Sequence, residues 1–392
     1  MSGVSETNIH PDGPGDPDDK GIHTFRSELL DRIRAAGGVH RLSGGKLLLP
    51  EVFGFCRGVE HALDMLERAV TDRTGRPGRL FLLGEIIHNP WVNDYFRSRG
   101  VRQLSEQERQ ELEKYIGPED CAVIPAFGVP LPIEKRLRSL GCQIVDTSCG
   151  DVRRLWVWSE RAAKAGYAIL IYGRATHDET MVTKSRLAAV GGKYLVVGDM
   201  DQAKKLCRMI IDSDDSSFSQ LFSSAATNAK TLEPFGKIAQ VSQTTMLYDE
   251  TIQLRQLLQE AFVQRFGNEA IDQRLRFQPT VCRATQERQN AAVALCSTKP
   301  DLTVVVGGFG SSNTRHLYEL ARRYSPSFFI EDARAFHSAD QLTCFDPEAD
   351  GAIVHTGWMG PERPLRVAVL AGASCPEIVV GEVLGKLADL LS

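Results

Sequence analysis

Three cysteines in this chain stand where thiolates could meet. Cys56 in "GFCRGVEHA", Cys149 in "DTSCGDV" and Cys282 in "PTVCRATQERQNA" each lie at a strand-to-helix turn or just ahead of a helical pattern. Thiolates delivered by separate segments to one point suit an iron–sulfur cluster better than structural zinc, which takes four closed ligands. A 4Fe-4S cluster held by three cysteines leaves one iron without a protein ligand, free to bind a substrate. The other six cysteines sort differently. Cys142 lies in an apolar run, Cys207 and Cys296 in helical patterns, Cys121 and Cys344 near strand starts or loops, and Cys375 in the turn "AGASCPE" stays ambiguous. Nine cysteines in 392 residues are too sparse for a secreted disulfide scaffold, and the absence of a C-x-x-C pair weakens zinc-ribbon and thioredoxin-like readings.

The remaining polar turns complement such an iron. They carry His88 in "IIHNP", His177 and Glu179 in "THDET", Gln243, Thr244 and Thr245 in "SQTTM", Ser311, Ser312 and Asn313 in "GSSNT", and Ser374 in "GAS". Hydroxyls, amides and backbone N–H groups at helix starts make a phosphate or diphosphate site. Glu179 is the candidate proton donor. Taken singly, Ser, Thr and Asn before a helix are plain N-caps, and a lone histidine is a structural residue. The joint pattern shifts the balance, because an anion cradle, two histidines, an acid and three thiols fall on one edge.

That edge is set by the elements. Short apolar runs end in Gly/Ser/Thr/His turns and helical patterns follow, as in "YAILIYGRATHDETMV" and "LTVVVGGFGSSNTRHLYELARR". Continuous apolar runs read as buried parallel strands, so this is an α/β protein. Eight such units could form one barrel or several small open sheets. Either way the turns lie at the carboxyl ends of the strands, where such folds bind ligands. At 392 residues, two or three domains are expected. Residues 1–20 are Pro-, Gly- and Asp-rich and read as disordered, "HTFRSELLDRIRAAGG" reads as a short amphipathic helix, and the compact body begins near Lys46. With 24% charged residues and a net charge of −4, nothing suggests nucleic-acid binding. No bilayer-spanning run or signal segment is visible, so a cytoplasmic location is expected.

The ordered motifs "GFCRGVEHA", "IIHNPWVN", "DTSCGDV", "THDET", "SQTTM", "CRATQERQNA", "GSSNT" and "AGASCPEIV" resemble the LytB/IspH family of 4-hydroxy-3-methylbut-2-enyl diphosphate reductases, from about Lys46 to Ser392. The resemblance implies three small α/β domains in a pseudo-threefold arrangement around a central cluster. These would span 46–149, with the strand leading to Cys56, then 150–280 and 281–392, after a tail and helix over 1–45. It implies a 4Fe-4S cluster on Cys56, Cys149 and Cys282. A reduced ferredoxin or flavodoxin would supply electrons, and the substrate's allylic hydroxyl would leave as water. The diphosphate would be held by His88, His177, Ser311, Asn313 and Ser374, with Ser312 and Thr245 close by. Glu179 would deliver protons, and Thr244 would hold the hydroxyl or a relay water.

Three positions depart from the common pattern. Phe127 in "PAFGV" stands where many bacterial members have a histidine, and with "THDET" and "QTTML" it resembles the plant and cyanobacterial branch. Gly150 follows Cys149 where proline is common, and Arg57 follows Cys56 where that branch often has an aromatic. Alternatives are a paralogue reducing a related allylic diphosphate and a non-catalytic iron–sulfur sensor of the same fold. A zinc hydrolase using His88, His177 and Glu179 lacks any supporting ligand spacing.

Overall fold

The computed structural model describes residues 25–75 and 77–392; the tail expected to be disordered, 1–20, lies outside the described residues. The apolar runs become strands covered on both faces. All five residues are buried in Ala168–Tyr172, in Ile238–Ser242 and in Leu302–Val306. Such runs cannot serve as half-exposed antiparallel strands, and they pair in parallel.

Of the two arrangements left open, several open sheets are what forms. The first sheet runs Val101–Gln103, Leu80–Leu82, Cys121–Ile124, Gln143–Asp146, all parallel. The second runs Tyr194–Val197, Ala168–Tyr172, Ile238–Ser242, Leu275–Phe277, again all parallel. In chain order both read second, first, third, fourth. The third repeats this with Ser327–Ile330, Leu302–Val306 and Leu365–Ala371, but its fourth strand is Gly45–Leu48, from the other end of the chain.

The strand before Cys56 therefore corrects the expectation that it belongs with the first sheet. Leu47 pairs with Val367 of the third sheet, and Val39–Leu42 adds an antiparallel edge. The turn between them is held by Gly44 N–H to Leu391 O at 2.7 Å and Leu365 N–H to Gly44 O at 3.0 Å. Each cysteine thus follows the fourth strand of one sheet and opens a helix of the next unit: Arg57–Arg73, Gly150–Lys164 and Arg283–Cys296. The repeat is what brings three distant turns to one centre.

The amphipathic helix forms as Glu28–Ala35, with Ser27 accepting from Leu30 N–H, and it buries Leu30 and Ile33 against Val379, Val383 and Leu387 of the C-terminal helix. Gly37 and Gly38 follow with φ of +75° and +77°, a left-handed stop that favours glycine. Cys375 is fully buried in the third core. Among the described residues, no helix is long and apolar enough to cross a membrane.

Candidate active site

The three helices that meet at the centre are opened by their cysteines. Cys56, Cys149 and Cys282 occupy the N-cap positions in extended conformation, and none uses its side chain as a cap. Their sulfurs are free to face inward, beside helix N-termini that favour negative charge. All three line one cavity of about 130 Å³. The same cavity is lined by His88, His177, Glu179, Thr244, Thr245, Ser311, Ser312, Asn313 and Ser374; of the polar-turn residues singled out in the sequence, Gln243 alone is not in its lining.

The sulfurs fit a multi-iron group. A Cβ on Gly58 would sit 2.7 Å from Cys149 Sγ and 3.8 Å from Cys56 Sγ, so the glycine keeps the space between two thiols open. Burial raises the Cys149 thiol above its usual range and pushes Cys282 up to about 11. Thiols so raised are poor free nucleophiles, whereas a bound cation would deprotonate them outright. Gly58→Ala is expected to lower iron and sulfide per chain while the helix Arg57–Arg73 remains folded, as metal analysis and circular dichroism would show.

Glu179 is 3% exposed and lies in the first turn of Asp178–Ala189. Its Oε1 accepts from Thr244 N–H at 2.7 Å, and its Oε2 bonds Thr244 Oγ1 at 2.6 Å. Burial raises the carboxyl to about 7, outweighing these two bonds, which favour the charged form. A carboxyl titrating near neutrality can both give and regain a proton.

The histidines are oriented by their other ring nitrogens. His177 caps its helix, with Nδ1 accepting from Glu179 N–H at 3.3 Å, so the proton of the neutral ring is on Nε2. Burial depresses His177 to about 3, which keeps it neutral. His88 Nδ1 lies 2.8 Å from Glu85 Oε2, and its Nε2 is 3.7 Å from Asp178 Oδ2. Phe127 stacks on His88 with ring centres 4.6 Å apart, fixing the ring where another donor was absent from the sequence. The buried Nε2 atoms of both histidines and both polar atoms of the Asn313 amide have no hydrogen-bond partner in the protein. Buried polar atoms without partners are costly unless a ligand satisfies them.

The hydroxyls form a connected wall. Gln243 Nε2 donates to Thr245 Oγ1 at 2.7 Å and to Ser312 Oγ at 3.0 Å, while Ser374 Oγ donates to Ser311 Oγ at 3.2 Å. Ser311 also caps the helix Ser312–Ala321. A second basin of about 420 Å³ shares His88 and His177 and adds Arg174 and Arg315. Sequence reasoning passed over Glu85 and Asp178 beside His88, Thr285 with Oγ1 3.1 Å from Cys282 Sγ, and Arg288. The last two had a signal: Thr285, Arg288, Gln289, Ala292 and Cys296 follow the helical stripe that is buried.

Comparisons with known proteins agree with this geometry. A family model described as LytB protein matches residues 47–388. A 4-hydroxy-3-methylbut-2-enyl diphosphate reductase from Thermosynechococcus vestitus is 34% identical over 374 residues, covering 94% of this chain and 90% of the relative. One from Gloeobacter violaceus is 35% identical over 376 residues, covering 93% and 88%. The solved E-1-hydroxy-2-methyl-but-2-enyl-4-diphosphate reductase of Plasmodium falciparum shares the fold, with a TM-score of 0.63, 20% identity and 86% of each chain covered. A solved (E)-4-hydroxy-3-methyl-but-2-enyl diphosphate reductase, the terminal enzyme of the non-mevalonate pathway, gives a TM-score of 0.52 at 22% identity, covering 88% of this chain and 99% of the other. With three cysteines, an acid, two histidines and a wall of hydroxyls gathered in one cavity, and with matches of this length, the chain belongs to the LytB family.

Proposed function

We propose that this chain is a 4-hydroxy-3-methylbut-2-enyl diphosphate reductase that removes the allylic hydroxyl to give isopentenyl and dimethylallyl diphosphates. Cys56, Cys149 and Cys282 hold a 4Fe-4S cluster. The observation that carries the reading is the buried Glu179–Thr244 pair in the same cavity as the three sulfurs. Loss of the hydroxyl as water consumes two electrons and two protons. When bound, the cluster supplies the electrons and a Lewis-acidic iron with an open position.

The chain's own residues do the rest. His177 Nε2–H, Asn313, Ser311 and Ser374 bind the diphosphate, with Ser312 and Thr245 beside them held by Gln243. His88, held through Nδ1 by Glu85 Oε2, presents its unpartnered Nε2 to the diphosphate. Thr244 orients the substrate hydroxyl or a relay water, and Glu179 delivers protons and recovers them. A reduced ferredoxin or flavodoxin is the electron donor.

His88→Phe is expected to raise KM with little change in kcat, by the roughly 1–3 kcal/mol of one charged hydrogen bond. Steady-state kinetics under dithionite check this. The whole reading is tested by incubating the anaerobic, reduced protein with 4-hydroxy-3-methylbut-2-enyl diphosphate. Formation of the two diphosphate products supports it. An iron-loaded protein that leaves the substrate untouched contradicts it.

A further inference from the structure

Arg288 is 5% exposed on the helix that Cys282 opens. A guanidinium that deep needs a reason, since it cannot shed its proton under ordinary conditions. Its two bonds reach both ways. Nη2 donates to the carbonyl of Gly54 at 2.6 Å, two residues before Cys56, and Nη1 donates to the carbonyl of Ala284 at 2.9 Å, two residues after Cys282. Both acceptors are neutral, Nε has no partner, and among the described residues no carboxylate forms an ion pair with Arg288. Glu287 on the same helix is paired with Arg283 instead.

The charge is therefore left for something else to balance. Burial pulls the Arg288 guanidinium below its ordinary value, and the largest charges acting the other way are those of Cys56 and Cys282, ahead of Glu287 and Glu60. We propose that Arg288 is a positioning residue for the cluster: it ties the segment before Cys56 to the helix that begins at Cys282, and it holds a fixed positive charge beside those two sulfurs. This rests on the cluster reading above. Three thiolates and their irons carry net negative charge that grows on reduction, so a buried cation nearby favours the reduced state. Tying two ligand segments that are distant in sequence also favours loading, because the sulfurs then need less ordering when iron arrives.

The experiment compares wild-type, Arg288→Lys and Arg288→Met proteins prepared without oxygen. Iron and sulfide per chain are counted, and the midpoint potential is followed by electron paramagnetic resonance during dithionite titration. Arg288→Met, which keeps the apolar stem and loses the charge, is expected to bind iron about 10- to 100-fold more weakly and to titrate at a lower potential. Arg288→Lys is expected to load iron and stay near the wild-type potential. An Arg288→Met protein with full iron and an unchanged potential overturns the proposal. If Arg288→Met takes up no iron, Arg288→Lys decides: loading supports the charge, and an equally empty protein overturns it. A wild-type chain that carries no cluster overturns the cluster reading and this inference together, whereas a loaded wild type with insensitive variants overturns this inference alone.

Discussion

Cys56→Ser, Cys149→Ser and Cys282→Ser are each expected to abolish turnover and remove most of the iron. Each sulfur comes from a different unit, and among the described residues the cavity lining holds no fourth cysteine to replace it. Serine is a hard, weakly acidic oxygen ligand where a soft thiolate is required. Cys207→Ser provides the contrast. Its thiol is buried in the second core and pushed up to about 12 by burial, so its loss is expected to cost stability and leave iron per chain unchanged. Iron analysis and thermal melting of the four variants separate ligands from core filler. Full iron in any of the three cavity variants would remove that cysteine from the ligand set.

The second large effect is on proton delivery. Glu179→Gln keeps the shape of the side chain and an acceptor for the Thr244 N–H, and it cannot give up a proton. Positioned acids contribute about 10²- to 10⁴-fold, so kcat is expected to fall by that much with iron content and substrate binding near wild type. The pH profile gives an independent check. Because burial raises Glu179 to about 7, wild-type kcat should fall as the pH rises through about 7, and that limb should vanish in Glu179→Gln. Stability carries the same signature. The folded protein holds this proton more tightly than the unfolded chain does, so the contribution is complete below about 4.5 and is lost as the pH rises through about 7. Glu179→Gln melting temperatures should lack that dependence. Normal turnover in Glu179→Gln would leave the mechanism without its proton source.

Much of this was legible because the signals are local. Short β-branched runs such as "LTVVV", bounded by turn residues, read as doubly covered strands, and a cysteine just before a helical pattern places its thiol at a helix start. The turns after the strands then supply the polar residues of the cavity. What was not legible depends on partners far along the chain. Periodicity identifies Gly45–Leu48 as a strand but does not say that Leu365–Ala371 lies beside it. The hairpin Gln341–Asp346 with Gly351–Thr356 escaped notice as well, because its outer strand exposes Ile353 and Val354 and lacks a helix after it. Arg288 falls on the buried stripe of its helix, but its task shows only once the Gly54 carbonyl is seen against it. Glu85 and Asp178 gain a task only from the position of the His88 ring between them.

The account stands on three thiolates from three units converging on one iron–sulfur group. Counting iron and acid-labile sulfide in the anaerobically purified wild-type chain tests that most directly. The account predicts a brown protein with about four irons and four sulfides per chain. A colourless protein that holds zinc or no metal, and still converts the substrate, would contradict it.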